Sequence, residues 1–263
     1  MTQMIDSQRP ITTAAAPRFQ LGFADTVEAI RATQMLRYQI FAGELGAQID
    51  GDGVDVDHFD AYCKHLTVHD THTGQLIACT RLLTCDQAQR AGGFYSAGEF
   101  DLAMIDSLPG RVMEIGRTCV HADFRSGAAI ATLWQGIAAY VIENNYDYLF
   151  GCASIGLEDG GSSAHAILEQ LRGKYMAPER QHVRPYQGLP LADARPVERP
   201  RLPPLLKAYV SLGAKACGEP YWDRDFNCAD VFMLLDVSEL NPRYARHFLG
   251  RDDTRGSASR AVI

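Results

Sequence analysis

The stretch from Arg111 to Tyr140, RVMEIGRTCVHADFRSGAAIATLWQGIAAY, limits the possible folds of this chain more than any other. Residues 111–120 alternate and are rich in β-branched types, the pattern of a strand. After a glycine-containing turn, Ile130, Leu133, Trp134, Ile137, Ala138 and Val141 recur at helical spacing and mark a buried stripe. A strand that turns straight into a helix leaves the helix's first N–H groups and its positive dipole end at the joint. Such a joint suits a phosphate or pyrophosphate, with Arg125 and Gly127 placed where the donors converge. The same strand carries Glu114 and Arg117, opposite charges three residues apart. Strand side chains alternate, so these two face opposite sides unless a bulge intervenes, and each is expected to have its own partner.

Other elements can be read around this joint. Residues 19–24 alternate as a short strand, and Asp25 with Glu28 three positions on reads as a capping-box variant opening a helix to about Leu45. The Gly- and Asp-rich segment that follows is a loop. HLTVHD and QLIACTRLLT, separated by THTG, form a hairpin with Gly74 at the positive-φ position. Residues 86–110 read as a loop. YDYLFGCASI is a nearly continuous apolar strand, covered on both faces. A helix at SSAHAILEQLRGKYM, a Pro-rich stretch at 178–204 that reads equally as a domain linker or a surface loop, a helix at LPPLLKAYVSLGAKACG and a strand at ADVFMLLDV complete the pattern. The order predicts an α/β fold, a mixed sheet flanked by helices, and by itself leaves one domain or two open. Residues 1–17 read as a flexible leader and 251–263 as a disordered tail.

The formal charge of −7 argues against nucleic acid as a partner. No apolar run is long enough to span a bilayer, and no secretory signal is recognisable, so a cytoplasmic protein is expected. Seven cysteines without a CxxC pair read as small buried hydrophobes in a reducing compartment. His65, His69 and His72 lack supporting ligands at metal spacing, and no metal or bound cofactor is expected.

The element order, with the strand 111–120 and DFRSGAA, resembles the GNAT superfamily of acyltransferases. In that superfamily an Arg/Gln-x-x-Gly-x-Gly/Ala loop holds a pantetheine-linked donor; Arg125-Ser-Gly127-Ala-Ala129 is one residue tighter. LRYQIFAGELG, DHFDAYCKHL, ACTRLL and MEIGRTCV resemble elements of acyl-homoserine-lactone synthases, GNAT-like enzymes that use acyl-carrier protein. GFYSAGEFDL, LWQGIAAY, LFGCASI, the segment 203–235 and NPRYARHFL are similar to the L-ornithine Nα-acyltransferase family. This resemblance covers roughly residues 19–250 and implies a single domain over 18–250 with a mixed, mostly antiparallel sheet, the stretch 178–204 as a Pro-rich surface loop, and a C-terminal extension beyond the lactone synthases.

The resemblance implies transfer of a 3-hydroxyacyl group from acyl-carrier protein, the phosphopantetheine thioester being the donor substrate, to the α-amine of L-ornithine. Rival readings are another acceptor (glycine, tyrosine or S-adenosylmethionine) and a non-catalytic acyl- or lipid-binding protein. Acyl transfer to an amine needs a base for its proton and donors for the developing oxyanion. Glu114 is the candidate base, with Arg117 beside it as the second catalytic candidate. Arg37, Phe41, Glu44, Asp57, Asp60, Arg81 and Phe100 are expected to form the site, the charged ones as an interlocking Arg–carboxylate network. Cys119, Val120, Arg125, Gly127 and Ala128 are expected at the donor. Direct attack in a ternary complex is expected, because no cysteine has a histidine and an acidic partner arranged for a covalent intermediate. Among the aromatics Phe94, Tyr95, Phe100, Trp134, Phe150 and Trp222, most should be core and some should line an acyl tunnel. Arg125, Arg172, Lys174, Arg180 and Arg184 are candidates for docking the acidic carrier protein. An amphiphilic product implies peripheral contact with the inner face of the cytoplasmic membrane.

Overall fold

The computed structural model describes residues 17–125, 127–190 and 200–240. The leader up to residue 16, part of the Pro-rich loop, the NPRYARHFL block and the tail lie outside the described residues. In chain order the elements are β1 (Phe19–Phe23), α1 (Val27–Tyr38), β2 (Lys64–Asp70), β3 (Leu76–Thr84), α2 (Cys85–Ala91), β4 (Phe100–Asp101), α3 (Ala103–Asp106) and β5 (Val112–Val120). They continue with α4 (Ala128–Glu143), β6 (Tyr148–Gly156), α5 (Ser162–Lys174), β7 (Arg184–Pro185), α6 (Pro204–Leu212), β8 (Lys215–Ala216), β9 (Tyr221–Asp223) and β10 (Cys228–Asp236).

The main sheet runs β1-β2-β3-β5-β6-β10-β8, with β9 also paired to β10. Every named pair in it is antiparallel except β5 with β6, the expected mixed and mostly antiparallel sheet. The β2–β3 hairpin forms as read, with Gly74 at φ +72°. One apolar layer packs α4, α5 and α6 on the sheet through Leu133, Ile137, Leu168, Leu171, Leu206 and Tyr209. A second, around Phe100, Phe150 and Phe232, fills the opposite side, and a third small cluster puts Leu36 of α1 and Ile40, just beyond its end, on Cys79 and Cys119. Burying each such large side chain contributes roughly 1.5–3 kcal/mol, so these layers fix which face of each strand is interior.

Three local readings are corrected. The N-cap of α1 is Thr26, whose hydroxyl accepts from Ala29 N, one residue later than the Asp25 capping box. The helix ends at Tyr38 and continues as a wider π turn, Gln39–Glu44. The segment 86–110 holds α2, capped by the Thr84 hydroxyl, together with β4 and α3. Their shortness explains the miss: seven-, two- and four-residue elements carry too few periods to show a pattern.

Two features of β5 position everything that follows. Its parallel register with β6 runs from Val112–Tyr148 to Glu114–Phe150 and then stops. On its other edge, Cys79 faces Cys119 while Arg81 faces Gly116, so β5 spends one residue more than β3 over this span. That bulge lies where Arg117 takes a left-handed backbone conformation, φ +50°.

Candidate active site

A cleft of about 90 Å³ lies where β5 and β6 part company. Glu114, Gly116 and Arg117 of β5 line it, with Cys152 and Ser154 of β6 and Asp230 of β10. The bulge therefore overrides strict alternation and brings Glu114 and Arg117 to the same cavity, though each keeps a different partner. At Gly151 of β6 a Cβ would collide with the Ile115 carbonyl oxygen of β5, so only glycine fits there.

Glu114 is buried, 3% exposed, and its carboxylate accepts from three donors. Tyr95 N reaches Oε2 at 2.7 Å, and Ser96 N and Ser96 Oγ reach Oε1 at 2.9 and 2.5 Å. The donors come from the first turn of a short helix, Tyr95–Gly98, so Glu114 pins that loop to the cleft wall. Burial pushes the Glu114 carboxyl above its ordinary value, against the Ser96 and Tyr95 bonds and the Arg81 charge. Oε2 accepts one bond only, which leaves it a lone pair for a substrate proton.

Arg117 lies between the Tyr95 and Phe226 rings, its guanidinium carbon 4.8 Å from each centroid. Its Nε is 3.2 Å from Asp55 Oδ2 and its Nη2 3.7 Å from Asp57 Oδ2. These carboxylates belong to a network largely as expected from sequence. Arg37 is fully buried and bonds Asp55 Oδ2 at 2.8 Å, Asp60 Oδ1 at 2.7 Å and the Asp55 carbonyl. Arg81 bonds Asp57 Oδ1 at 2.6 Å and Asp60 Oδ1 at 3.0 Å. Burial alone would raise the Asp60 carboxyl; the bonds and charges of Arg37 and Arg81 prevail and hold it well below the carboxylate range. Asp57 and Asp60 also cap the turn His58–Ala61 reciprocally, which fixes the loop bearing them.

The network differs from expectation in two members. Asp55, missed in the sequence, joins Arg37 to Arg117; its alternation with Asp57 in GVDVDHFD was the available signal. Glu44 stands apart and pairs instead with Arg125 at 2.5 Å. Phe41 lines the cleft, but Phe100 is wholly buried in the second apolar layer against Phe232, and lies outside the cleft lining. Of the aromatics, Tyr95 lines the cleft, whereas Phe94 and Phe150 pack on each other and Trp134 packs on Tyr209.

At the expected donor end, Gly127 caps α4 in a left-handed conformation, φ +97°, and Ala128 begins the helix. Arg125 donates from Nε to the Val120 carbonyl at 3.0 Å as well as binding Glu44. Cys119 is buried under α1, its sulfur 3.5 Å from that of Cys79. The docking candidates are partly countered: Arg172 binds Glu169 and Glu219 at 2.5 Å each, and Arg184 lies 3.8 Å from Asp101. His65 is buried and its Nε2 meets the Asp60 carbonyl at 3.0 Å.

A larger cavity of about 510 Å³ shares Tyr95 and Asp223 with the cleft and is lined by His58, Glu99 and Asp225. A third, about 240 Å³, is lined mainly by small and apolar residues including Ala88, Phe94, Ile105, Leu108 and Val112. Asp223, Cys228 and Asp230 place potential ligand atoms within 4.8 Å of one another.

A mixed sheet whose one parallel pair parts beside a strand–turn–helix joint defines the GNAT class of acyltransferases. Residues 36–135 accordingly match the family model described as an acetyltransferase (GNAT) domain. The chain is 34% identical to the L-ornithine N(alpha)-acyltransferase of Rhodobacter capsulatus over 259 residues, covering 92% of this chain and 100% of that protein. It is 33% identical to the enzyme of that name from Brucella abortus over 249 residues, 87% of this chain and 88% of the other. The chain belongs to the L-ornithine N(alpha)-acyltransferase family and is an acyltransferase. Its fold is shared with FeeM, an N-acyl amino acid synthase from uncultured soil microbes (TM-score 0.51, 15% identity, 85% of this chain and 93% of that one). It is shared too with the AHL synthase LasI (TM-score 0.52, 13% identity, 88% and 94%).

Proposed function

We propose that this chain transfers a 3-hydroxyacyl group from acyl-carrier protein to the α-amine of L-ornithine, giving lyso-ornithine lipid. The acceptor is supported by the name its curated relatives carry. The observation that carries the chemistry is the cleft in the β5–β6 gap, with a buried carboxylate and a guanidinium on one wall. The thioester enters along the unpaired β5 edge beyond Glu114, with its pantetheine arm toward Gly127 and Ala128. Glu114 takes a proton from the incoming α-ammonium through Oε2, directly or through one water, so that the neutral amine attacks the thioester carbon. The C–N bond forms, the C–S bond breaks, and the pantetheine thiol leaves with a proton. Peptide N–H groups on the β5 edge steady the oxyanion, and Arg117 binds the acceptor's carboxylate. The acyl chain runs into the apolar cavity at Phe94, Ile105 and Leu108. No helix among the described residues is long and apolar enough to cross a membrane, so an amphiphilic product is handed over by peripheral contact at the bilayer surface.

The test incubates purified protein and L-ornithine with 3-hydroxyacyl-ACP, unsubstituted acyl-ACP and the matching CoA thioesters, and identifies the amide by mass spectrometry. Amide formation chiefly from 3-hydroxyacyl-ACP is the expected result. Equal turnover of CoA thioesters sinks the carrier-protein part, and thioester binding without any amide product sinks the enzymatic reading.

A further inference from the structure

The acyl-transfer chemistry leaves one side of the cleft unused. Asp230 is 5% exposed, and both hydrogen bonds it accepts, from Ser154 Oγ at 2.6 Å and Cys228 Sγ at 3.6 Å, go to Oδ1. Among the described residues no donor is bonded to Oδ2, although Asp230 lines the cleft. Asp223 stands next to it, its Oδ1 accepting from Asp225 N and Phe226 N, and Glu99 is a third carboxyl, 6% exposed, bonded by the Cys152 thiol at 3.3 Å. Among the described residues no lysine or arginine forms an ion pair with any of the three, whereas the carboxylates around Arg37 are all countered.

Buried carboxyls without a cation repel one another and resist ionisation. Burial first, and then the Asp230 charge, pushes Glu99 up to about 9; burial and the Asp223 charge push Asp230 up to about 6. A cation arriving between them relieves both penalties. The walls of the cleft thus differ in sign, with Arg117 on one side and the carboxyls on the other. The larger cavity that shares Tyr95 and Asp223 with it is lined by Asp223 and Asp225 toward solvent, a negative mouth that concentrates cations. An amino acid with a second amine presents matching charges: a carboxylate at one end and an ammonium at the other. A divalent metal fits less well. The Cys228 thiol donates to Asp230 Oδ1, a bond that metal ligation would have to break.

We propose that Asp230, with Asp223 and Glu99 beside it, seats the side-chain ammonium of a diamino acid acceptor and so sets the preference for such an acceptor over monoamino acids. This rests on the acyl-transfer reading above. Sites built to bond a polar group reject analogues lacking it far more strongly than sites that only measure size.

The test compares L-ornithine with L-norvaline, the same carbon skeleton without the second amine, as acceptors for the full chain with 3-hydroxyacyl-ACP. Wild type should favour ornithine in kcat/KM by at least roughly 10²-fold, and Asp230→Asn should cut that ratio at least about tenfold, mainly through the KM for ornithine. An unchanged ratio, or an equal fall for both acceptors, overturns the proposal. Asp223→Asn, at the rim, carries the same comparison if thermal unfolding shows that the Asp230 variant does not fold. Calorimetric titration with the two amino acids separates the two levels of the argument. If no amide forms with any acceptor, acyl transfer fails as a reading. The ammonium seat then stands if ornithine still binds more tightly than norvaline and loses that advantage in Asp230→Asn, and falls if the two bind alike. Zinc that binds in competition with ornithine, and loses its site in Cys228→Ser, also overturns it.

Discussion

Glu114 has two tasks, and its three donors make them separable. As an anchor it ties Tyr95 and Ser96 to the sheet; as a base it needs the one lone pair that Oε2 keeps. Glu114→Gln retains an acceptor oxygen but cannot take a proton, so kcat should fall by roughly 10²-fold or more with a much smaller change in the KM for ornithine. Steady-state kinetics of the folded variant check this, and near-full turnover from pH 6 to 9 removes Glu114 as the base. Ser96→Ala should behave differently. It withdraws one bond from a fully buried carboxylate, costing about 1–3 kcal/mol of stability in a denaturant titration. Both residues were visible in the sequence as types, but only Glu114 was legible as functional. Ser96 sits in an irregular loop whose geometry depends on a strand 18 residues away.

At the scale of elements, the cleft depends on how α1, the turn His58–Ala61, β3 and β5 are clamped together. Arg37 makes that clamp from full burial, and Arg37→Ala should leave Asp55 and Asp60 buried without their cation. The loss should be about 3–5 kcal/mol, a large share of a typical domain's stability, measurable as a shift in the urea midpoint. An Arg37→Lys substitution should recover only part, since Lys cannot span both carboxylates with a planar fork. Gly151→Ala should be tolerated worse than its size suggests, because the obstacle is the Ile115 backbone rather than a flexible side chain. The long elements were readable because their periods repeat: α4, β6 and β10 lie within a residue or two of expectation. Arg37, Asp57, Asp60 and Arg81 were readable as a network because opposite charges on apolar-flanked segments need one another. The membership of Asp55 and the departure of Glu44 were not readable. Both follow from the π turn at Gln39–Glu44 and the path of a Gly-rich loop, neither of which has a period to detect.

For the whole molecule, the buried carboxyls divide into two groups that pull stability in opposite directions as pH changes. Asp60, held low, contributes stability above its unfolded value near 4, and this is lost as pH falls through that region. Glu99 and Asp230, held high, impose no penalty below their unfolded values and cost stability as pH rises, Asp230 through about 6 and Glu99 through about 9. Thermal unfolding should therefore peak at mildly acidic pH and decline from about 5 to 9, at up to about 1.4 kcal/mol per unit for Glu99. Glu99→Gln should flatten the alkaline part of that decline, and an unchanged slope refutes the assignment. The cleft itself collects its residues from Phe41 to Asp230, most of the span of the described chain. That distribution has a consequence for synthesis. The wall at Glu114 and Arg117 leaves the ribosome well before the acidic wall on β10, roughly 110 residues later, or on the order of ten seconds of translation. During that interval the nascent chain has no β10 to close the sheet and no second wall to hold an amine. Competence to form an amide bond thus arrives only once β10 is made, and a chain stopped short of it has no partial version of the enzyme to offer.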